Sequence, residues 1–326
     1  MRKFCFAGAM ALIASSAQAQ DQNLEVAMLL PGNIEDNGFM EAGYSGLLAI
    51  QEQFGAEISY IDGVKPEPAL LEAALRKLAD RQPDMVIAHG GQNNTAAEVV
   101  AAEYPGIEFV VVQGGVTGPN LSSYEVLQEE SAWLAGAAAG MLTKSGVVGH
   151  ISGIRVPPGL KGRGAFHDGL IHSNPQAKFV TIFAGDQDDN ALSARVAKAE
   201  IEQGADIIFT MLNAGRTGAT DAMREAGVQQ IGNVIDWTEI DPAVFVASAV
   251  ANVSIPSVEA VRDFTGSDWK PGVIKSIGLE NPDAVSLTLS GNVPDDVRQS
   301  IDVFRQKIVD GEIEVVTDYE GPELEI

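Results

Sequence analysis

Short apolar runs alternate with longer amphipathic segments along the chain, and the two kinds of segment differ in periodicity. The short runs are rich in Val and Ile and predict strands at residues 24–30, 57–62, 84–90 and 108–114. The longer segments have helical spacing and predict helices at residues 37–54, 67–80 and 92–104. Strands that alternate with helices predict right-handed crossovers and a parallel sheet covered by helices on both faces.

The same alternation begins again after Lys144 and predicts a second sheet. Its strands are predicted at residues 146–153, 178–185, 206–212 and 229–234, and its helices at residues 158–173, 190–203 and 216–225. The tail predicts a strand at 244–250, a helix at 254–264, strands at 272–279 and 284–289, and a helix at 294–310. The predicted fold class is therefore α/β, with two doubly wound parallel-sheet lobes joined by a hinge.

The predicted strand ends place the expected ligand site between the lobes. We expect the first lobe to contain residues 20–125 and about 248–270, and the second to contain residues 126–247 and about 271–326. Polar turns at 185–189 and 213–215 follow predicted strands of the second lobe. Ligands bind at the carboxyl ends of strands in open parallel sheets. If those edges of the two lobes face each other, the space between them is the site.

The N-terminal segment, residues 1–19, has the pattern of a secretory signal peptide. Arg2 and Lys3 precede an apolar stretch at residues 4–14, and Ala17 and Ala19 supply the small residues that signal peptidase reads. The apolar stretch is too short for a hydrocarbon layer of about 30 Å. We expect cleavage after Ala19 and a periplasmic location, with a buried N-terminal helix as the alternative.

Cysteine content and charge exclude several kinds of partner. Cys5 is the only cysteine and precedes most of the apolar run, whereas a lipobox cysteine would end it. The mature chain would then have no thiol for a disulfide, a metal or nucleophilic catalysis, and no lipid anchor. The formal net charge of −24 disfavours nucleic acid and anionic membrane surfaces. We also expect a monomer with no direct membrane insertion.

The common catalytic and metal-binding patterns do not occur in this sequence. Residues 43–46 come nearest to a nucleophile elbow but lack its final glycine, and neither a P-loop nor G-x-G-x-x-G occurs. His167 and His172 are five residues apart, so a helix would not place them on one face. Asp186 and Asp188 resemble part of a calcium loop but lack its glycine and distal glutamate, which favours a turn that caps the next helix. We expect no enzyme activity, metal or cofactor; an exported hydrolase is the alternative, and it would need a convergent nucleophile, base and oxyanion donors.

His89 ends a predicted strand and precedes a segment rich in glycine and amides, residues 90–95. Glycines allow close approach of the backbone to a ligand, and amides supply donors and acceptors. Ligand binding is one interpretation of this segment. The other is a helix-capping turn whose polar residues are incidental.

Several segments occur in an order that resembles one family, the basic membrane protein type of ABC-transporter substrate-binding proteins. The best-known members of that family bind purine nucleosides. The resemblance runs from about Leu24 to about Ile313 and rests on residues 31–39, 88–90, 103–112, 129–136, 147–153, 204–209 and 230–232. It implies a type I periplasmic binding protein, whose two hinged lobes close over one ligand and present it to an ABC permease.

The resemblance also implies functional residues, because Phe39 matches the aromatic residue that stacks on the purine base. The other polar positions of the family differ here, with Leu30-Pro31, Met40, Gln113 and Val234 in place of carboxylates or Asn, and Ala251 in place of Lys. Such a pocket favours a flat, less hydroxylated ring compound, such as a nucleobase or a related heteroaromatic, although a nucleoside stays open if Asp236 holds the ribose. The ligand-binding candidates are Asp36, Asn37, Phe39, His89, Gly90, Gln92, Asn93, Gln113, Asn213, Asp236 and Trp237.

Two alternatives remain at this stage. The same two-lobed protein can report a ligand to a receptor instead of a permease, or bind a small metabolite other than a purine. Trp237 has an alternative interpretation too, as a packing residue.

Overall fold

The computed structural model describes residues 23–36, 38–266 and 269–326. The first of its two sheets has the strand order β11-β5-β4-β3-β1-β2, and all its strand pairs are parallel. These strands are β1 (Glu25–Leu30), β2 (Glu57–Asp62), β3 (Met85–His89), β4 (Glu108–Val112), β5 (Leu121–Val126) and β11 (Ile274–Ile277). The helices packed on this sheet are α1 (Phe39–Phe54), α2 (Pro68–Ala79), α3 (Asn94–Glu103) and α9 (Ile255–Thr265).

The second sheet has the order β12-β10-β9-β8-β6-β7, and only β12 is antiparallel to its neighbour. Its strands are β6 (Val147–Ser152), β7 (Lys178–Phe183), β8 (Ile207–Met211), β9 (Gln229–Val234), β10 (Phe245–Ala251) and β12 (Val285–Leu289). The remaining helices are α4 (Gln128–Leu142), α5 (Pro157–Ser173), α6 (Asn190–Glu202), α7 (Arg216–Ala226), α8 (Trp237–Ile240) and α10 (Asp295–Val309). The predicted fold class of two doubly wound α/β sheets is confirmed.

The sheets differ from the expected lobe boundaries near the end of the chain. Strand β10 belongs to the second sheet, although residues 248–251 were expected in the first lobe. Strand β11 belongs to the first sheet, although residues 271–277 were expected in the second lobe. The reason is nonlocal pairing: β11 extends the first sheet beside β5, and the Ser123 and Leu127 amides donate to the carbonyls of Val273 and Ile277.

Two elements of the core were not predicted from periodicity. Strand β5 has the polar residues Ser122 and Ser123, so its apolar run is interrupted although it is buried. Helix α4 is buried nearly all round and therefore shows no amphipathic stripe; only the family resemblance indicated it.

Helix α4 packs against α5 with the two backbones in contact. A Cβ atom at Gly136 would lie 1.9 Å from the carbonyl oxygen of Phe166, and one at Gly169 would lie 2.0 Å from that of Trp133. Glycine at both positions therefore permits the close crossing. The core around this helix pair also contains Val126 and Ile277 of the first sheet, so it extends to where the chain passes between the sheets.

Candidate ligand-binding site

A cavity of about 140 Å³ lies where the carboxyl-terminal edges of the two sheets meet. Pro31 follows β1, Asn213 follows β8, and Val234 ends β9, so the cavity lies at the carboxyl ends of strands, where the rule for open parallel sheets (the strand-end rule) predicts a ligand site. Its apolar lining consists of Pro31, Phe39, Met40, Pro66, Ile154, Val156, Pro157, Pro158, Met211 and Val234. Its polar lining consists of Gln92, Gln128, Ser152, Gln187, Asn213 and Asn233, together with backbone at Gly91, Gly153 and Gly159.

The described residues that line this cavity include no ionisable side chain. Five of them are carboxamides, each with two donors and one acceptor group. A second, wider cavity shares Pro31 and Met40 with the first and is lined by Asp36, Asp62, Asp186 and Asp188 as well as Lys65. The site thus has a neutral inner part and an acidic mouth.

Phe39 is the first residue of α1 and is supported from beneath by His89. The two ring centroids are 4.3 Å apart, and Nε2 of His89 donates to the Phe39 carbonyl oxygen at 2.8 Å. His89 is fully buried, and burial lowers its pKa to about 4, so the ring is neutral at pH 7. His89 was expected to contact the ligand; the structure instead places it behind the residue that does line the cavity.

The segment after His89 has features of both interpretations, ligand binding and a helix-capping turn. Gly90 has φ of 103°, a left-handed conformation that favours glycine. The Asn93 side chain donates to the carbonyls of His89 and Gly90, so it stabilises the turn and does not reach the cavity. Gln92 and the Gly91 backbone line the cavity.

Two further candidates are engaged in local structure. Gln113 was expected in the cleft, but its side chain pairs with the Val126 backbone, accepting at 2.6 Å and donating at 3.2 Å. Asp36 accepts hydrogen bonds from the amides of Gly38, Met40 and Glu41 at 2.8–3.1 Å and therefore caps α1. Asp36 reaches only the acidic mouth. The remaining candidate of this segment, Asn37, lies outside the described residues.

Asp236 and Trp237 lie beside β9 and do not line the cavity. The Asp236 carboxylate accepts from the Thr238 amide at 2.9 Å and from the Thr288 hydroxyl at 2.8 Å, and so caps α8. The Trp237 ring stacks on Phe245 with centroids 5.4 Å apart. Both residues were expected to bind the ligand, but each is held by contacts within the second lobe.

Trp237 also contacts a buried cation. The Arg216 guanidinium lies 3.6 Å from the Trp237 ring, and its Nη1 donates to the Leu212 carbonyl at 2.9 Å. Burial lowers the pKa of Arg216 to about 10, although the negative charge of Asp36 opposes that shift. Arg216 belongs to the second lobe and Asp36 to the first, so their attraction acts across the cleft.

The most important residues missed from the sequence belong to the loop between β6 and α5, residues 153–156, and to the start of α5. Ile154, Val156 and Pro157 line the cavity, and they directly follow the predicted strand 146–153. The strand-end rule would have found them had it been applied there. Val234 has φ of 71°, which is strained for a β-branched residue and lies at the cavity. Sequence periodicity has no signal for that strain.

The Asp186–Asp189 turn caps α6, as predicted. The Asp189 side chain accepts from the amides of Ala191 and Leu192, and Asp186 accepts from those of Asp188 and Asp189. Across the three described ranges, no three His, Cys, Asp or Glu side chains come together as metal ligands. Within the same residues, no helix is both long and apolar enough to cross a bilayer.

Comparison with protein families identifies the chain. A family model described as ABC transporter substrate-binding protein, PnrA-like, matches residues 23–318. This chain belongs to that family. The family resemblance read from the sequence is therefore confirmed.

Curated relatives of this family member have different descriptions. A purine-binding protein of Brucella abortus is 23% identical over 311 residues, which cover 94% of this chain and 86% of the relative. The transcriptional activator protein med of Bacillus subtilis is 25% identical over 229 residues, covering 70% and 71% of the two chains.

Solved structures of other proteins have the same fold. A solute-binding protein of an ABC transporter system from Aeropyrum pernix has a TM-score of 0.79 at 19% identity, covering 91% of this chain and 94% of its own. A transcriptional activator of the comK gene from Bacillus halodurans has a TM-score of 0.76 at 20% identity, covering 89% and 99%. At these identities the likeness establishes the fold, the two-lobed type I periplasmic binding protein, and no ligand.

Proposed function

We propose that this substrate-binding protein captures a neutral heteroaromatic solute, such as a nucleobase, between two closing lobes. The observation that carries the proposal is the lining of the inner cavity, which combines Phe39 with five carboxamides and contains no ionisable side chain among the described residues. A flat ring buries its faces against Phe39 and the prolines, and amides orient its polar edge without requiring charge. The purine-binding relative from Brucella abortus supports this ligand class.

The proposal distinguishes free bases from their ribosides. Asp236 and Gln113, the residues nearest in type to a ribose grip, already bond to Thr288 and to the Val126 backbone. The described residues that line the inner cavity offer ribose hydroxyls no carboxylate acceptor, and each buried hydroxyl left unpaired would cost about 1–3 kcal/mol. A nucleobase is therefore expected to bind more tightly than the corresponding nucleoside.

A ligand panel tests the proposal directly. Purines, pyrimidines, their nucleosides, sugars and amino acids are each added to the purified protein, and the melting temperature is measured with isothermal titration as confirmation. A ligand that binds the folded state alone raises the melting temperature by mass action. Binding of sugars or amino acids alone would overturn the proposal, and recovery of chemically altered ligand would show that the protein is an enzyme.

The protein acts in the periplasm as a monomer and delivers its ligand to an inner-membrane ABC permease. Export depends on the signal peptide at residues 1–19, which lies outside the described residues. Mass spectrometry of protein from the periplasmic fraction should give a chain that begins at Gln20. Cytoplasmic protein with an intact N-terminus would contradict the export proposal, and light scattering tests the monomer.

Sensing is a second candidate because two similar proteins are described as transcriptional activators. In that case, the closed form would be recognised by a receptor or regulator instead of a permease. Uptake of labelled nucleobase by cells with and without the gene separates the two functions. Unchanged uptake together with altered transcription would favour sensing.

A further inference from the structure

The tail of the chain runs along the second lobe as an irregular strap, residues 316–324. The Leu324 amide donates at 2.9 Å to the Thr181 carbonyl on β7, which is the edge strand of its sheet. The Val316 amide donates at 3.3 Å to the Asp168 carboxylate on α5. The strap therefore bridges α5 and the sheet edge, and its last residues, from 319 on, lie beyond the family match at residues 23–318.

Within the strap, Glu323 links two arginines. Its two carboxylate oxygens accept from Arg155 and from Arg163. The Arg163 side chain is 7% exposed, and its guanidinium lies 4.9 Å from the rings of both Phe183 and Tyr319. A cation this buried needs a partner charge, so Arg163 holds Glu323 in place.

Arg155 connects the strap to the ligand cavity. It lies between Ile154 and Val156 in the sequence, which both line that cavity, and its guanidinium lies 4.7 Å from the Phe183 ring. Backbone bonds hold the two ends of the loop: Gly153 donates to Met211 at 3.2 Å and accepts from Gly185 at 2.8 Å, and Val156 donates to Ile154 and accepts from Leu160, both at 3.0 Å. The Glu323 contact therefore restrains a short segment that shapes one wall of the site.

We propose that Glu323 is a positioning residue for the ligand cavity, which it shapes through Arg155 and the loop at residues 153–156. The inference rests on the proposed function, because it assigns ligand binding to the cavity that this loop lines. The ligand touches the loop, and Glu323 sets the loop's shape from outside. Loosening the strap thus weakens binding without removing any residue from the cavity.

The test uses Glu323→Gln, which keeps the shape and removes the charge, and Arg155→Ala, which removes the other partner. With a nucleobase that binds the wild type, each variant should bind about three- to fivefold more weakly, the range expected for an ion pair of this exposure. The double variant should bind no more weakly than either single one, because both changes break the same contact between the strap and the loop. Glu323→Asp should restore part of the affinity, and Glu325→Gln on the exposed end of the tail is the matched control.

A second measurement does not depend on the ligand. Amide hydrogen exchange of the 153–160 peptide in the ligand-free protein should be faster in Glu323→Gln than in the wild type, with exchange of β8 unchanged. Unchanged exchange in the loop would overturn the inference, as would wild-type affinity in both single variants or fully additive losses in the double one. If the wild type binds no compound of the panel, the proposed function is wrong instead. The exchange measurement would still test whether Glu323 restrains the loop.

Discussion

The two lobes contribute different chemistry to the same cavity. The first lobe provides the aromatic ring of Phe39, the thioether of Met40 and one amide, Gln92. The second provides most of the carboxamides, including Gln187 and Asn213. The aromatic ring and most of the carboxamides therefore come from opposite lobes. Under the proposed function, a ligand that contacts both lobes stabilises their closed arrangement.

The lobes also differ in how they bury a histidine near the site. His89 in the first lobe has one partner, the Phe39 carbonyl, and its Nδ1 has none among the described residues. His150 in the second lobe bonds Thr181 at 2.8 Å and Ser152 at 3.0 Å. Burial, with the Arg163 charge as a smaller cause, lowers the pKa of His150 to about 3. Both rings are neutral supports behind residues that line the cavity.

The largest expected effect tests the helix pair that distinguishes the second lobe. Gly136→Ala would push a methyl group into the Phe166 carbonyl, 1.9 Å away, and should lower the free energy of unfolding by about 3 kcal/mol. Denaturant unfolding measures the loss. Gly291→Ala is the matched control, because nothing lies within 4 Å of its added Cβ. Equal stability of both variants would show that the backbones are not in contact.

Next in size is the loss of the aromatic face that the first lobe supplies. Phe39→Ala should raise the dissociation constant for the bound nucleobase about 10- to 100-fold, because burial of such a side chain contributes about 1.5–3 kcal/mol. Isothermal titration measures the change. Leu48→Ala, on an exposed face of the same helix, should bind as the wild type does. Wild-type affinity in Phe39→Ala would exclude stacking.

The buried His89 predicts a dependence of stability on pH. Its pKa falls from 6.5 to about 4 on folding, so the unfolded chain binds more protons between those values. The stabilisation is complete above pH 6.5 and is lost as the pH falls towards 4, by on the order of 3 kcal/mol. Unfolding curves of the wild type and His89→Gln across this interval measure the difference. Identical slopes would show that His89 titrates normally.

A smaller effect is expected for each amide of the second lobe. Asn213→Ala should weaken nucleobase binding about fivefold, which corresponds to one hydrogen bond of about 1 kcal/mol. Gln203→Ala, exposed and distant from the cavity, is the control for loss of an amide. If Asn213→Ala binds as the wild type does, other residues of the cavity form the hydrogen bonds to the ligand's polar edge.

The smallest effect on binding concerns the carboxylate that the family resemblance suggested for a ribose. Asp236→Ala should lower stability by about 1 kcal/mol, because α8 loses the side chain that caps it. Nucleobase affinity should stay within about twofold of the wild type, because Asp236 does not line the cavity. A change of about twofold in affinity corresponds to less free energy than one ordinary hydrogen bond. A large loss of affinity would place Asp236 in contact with the ligand and favour a nucleoside.

Much of the fold was predictable because its signals are local. Alternating apolar and amphipathic segments predicted most strands and helices, and the strand-end rule predicted where the cavity lies. Helix α4 was not predicted because full burial removes the polar face on which periodicity depends, and strand β5 was not predicted because Ser122 and Ser123 interrupt its apolar run. The exchange of β10 and β11 between the lobes escaped because strand pairing is decided by distant residues.

By itself, the sequence determined the α/β class, the two successive sheets, the family and the aromatic residue at the start of α1. Only the tertiary structure decided which polar side chains remain available to bind a ligand. Asp36, Gln113 and Asp236 read as site residues in the chain, yet each already has partners. The physical reason is that periodicity is a property of neighbouring residues, whereas a buried polar group is satisfied by whatever the fold brings beside it.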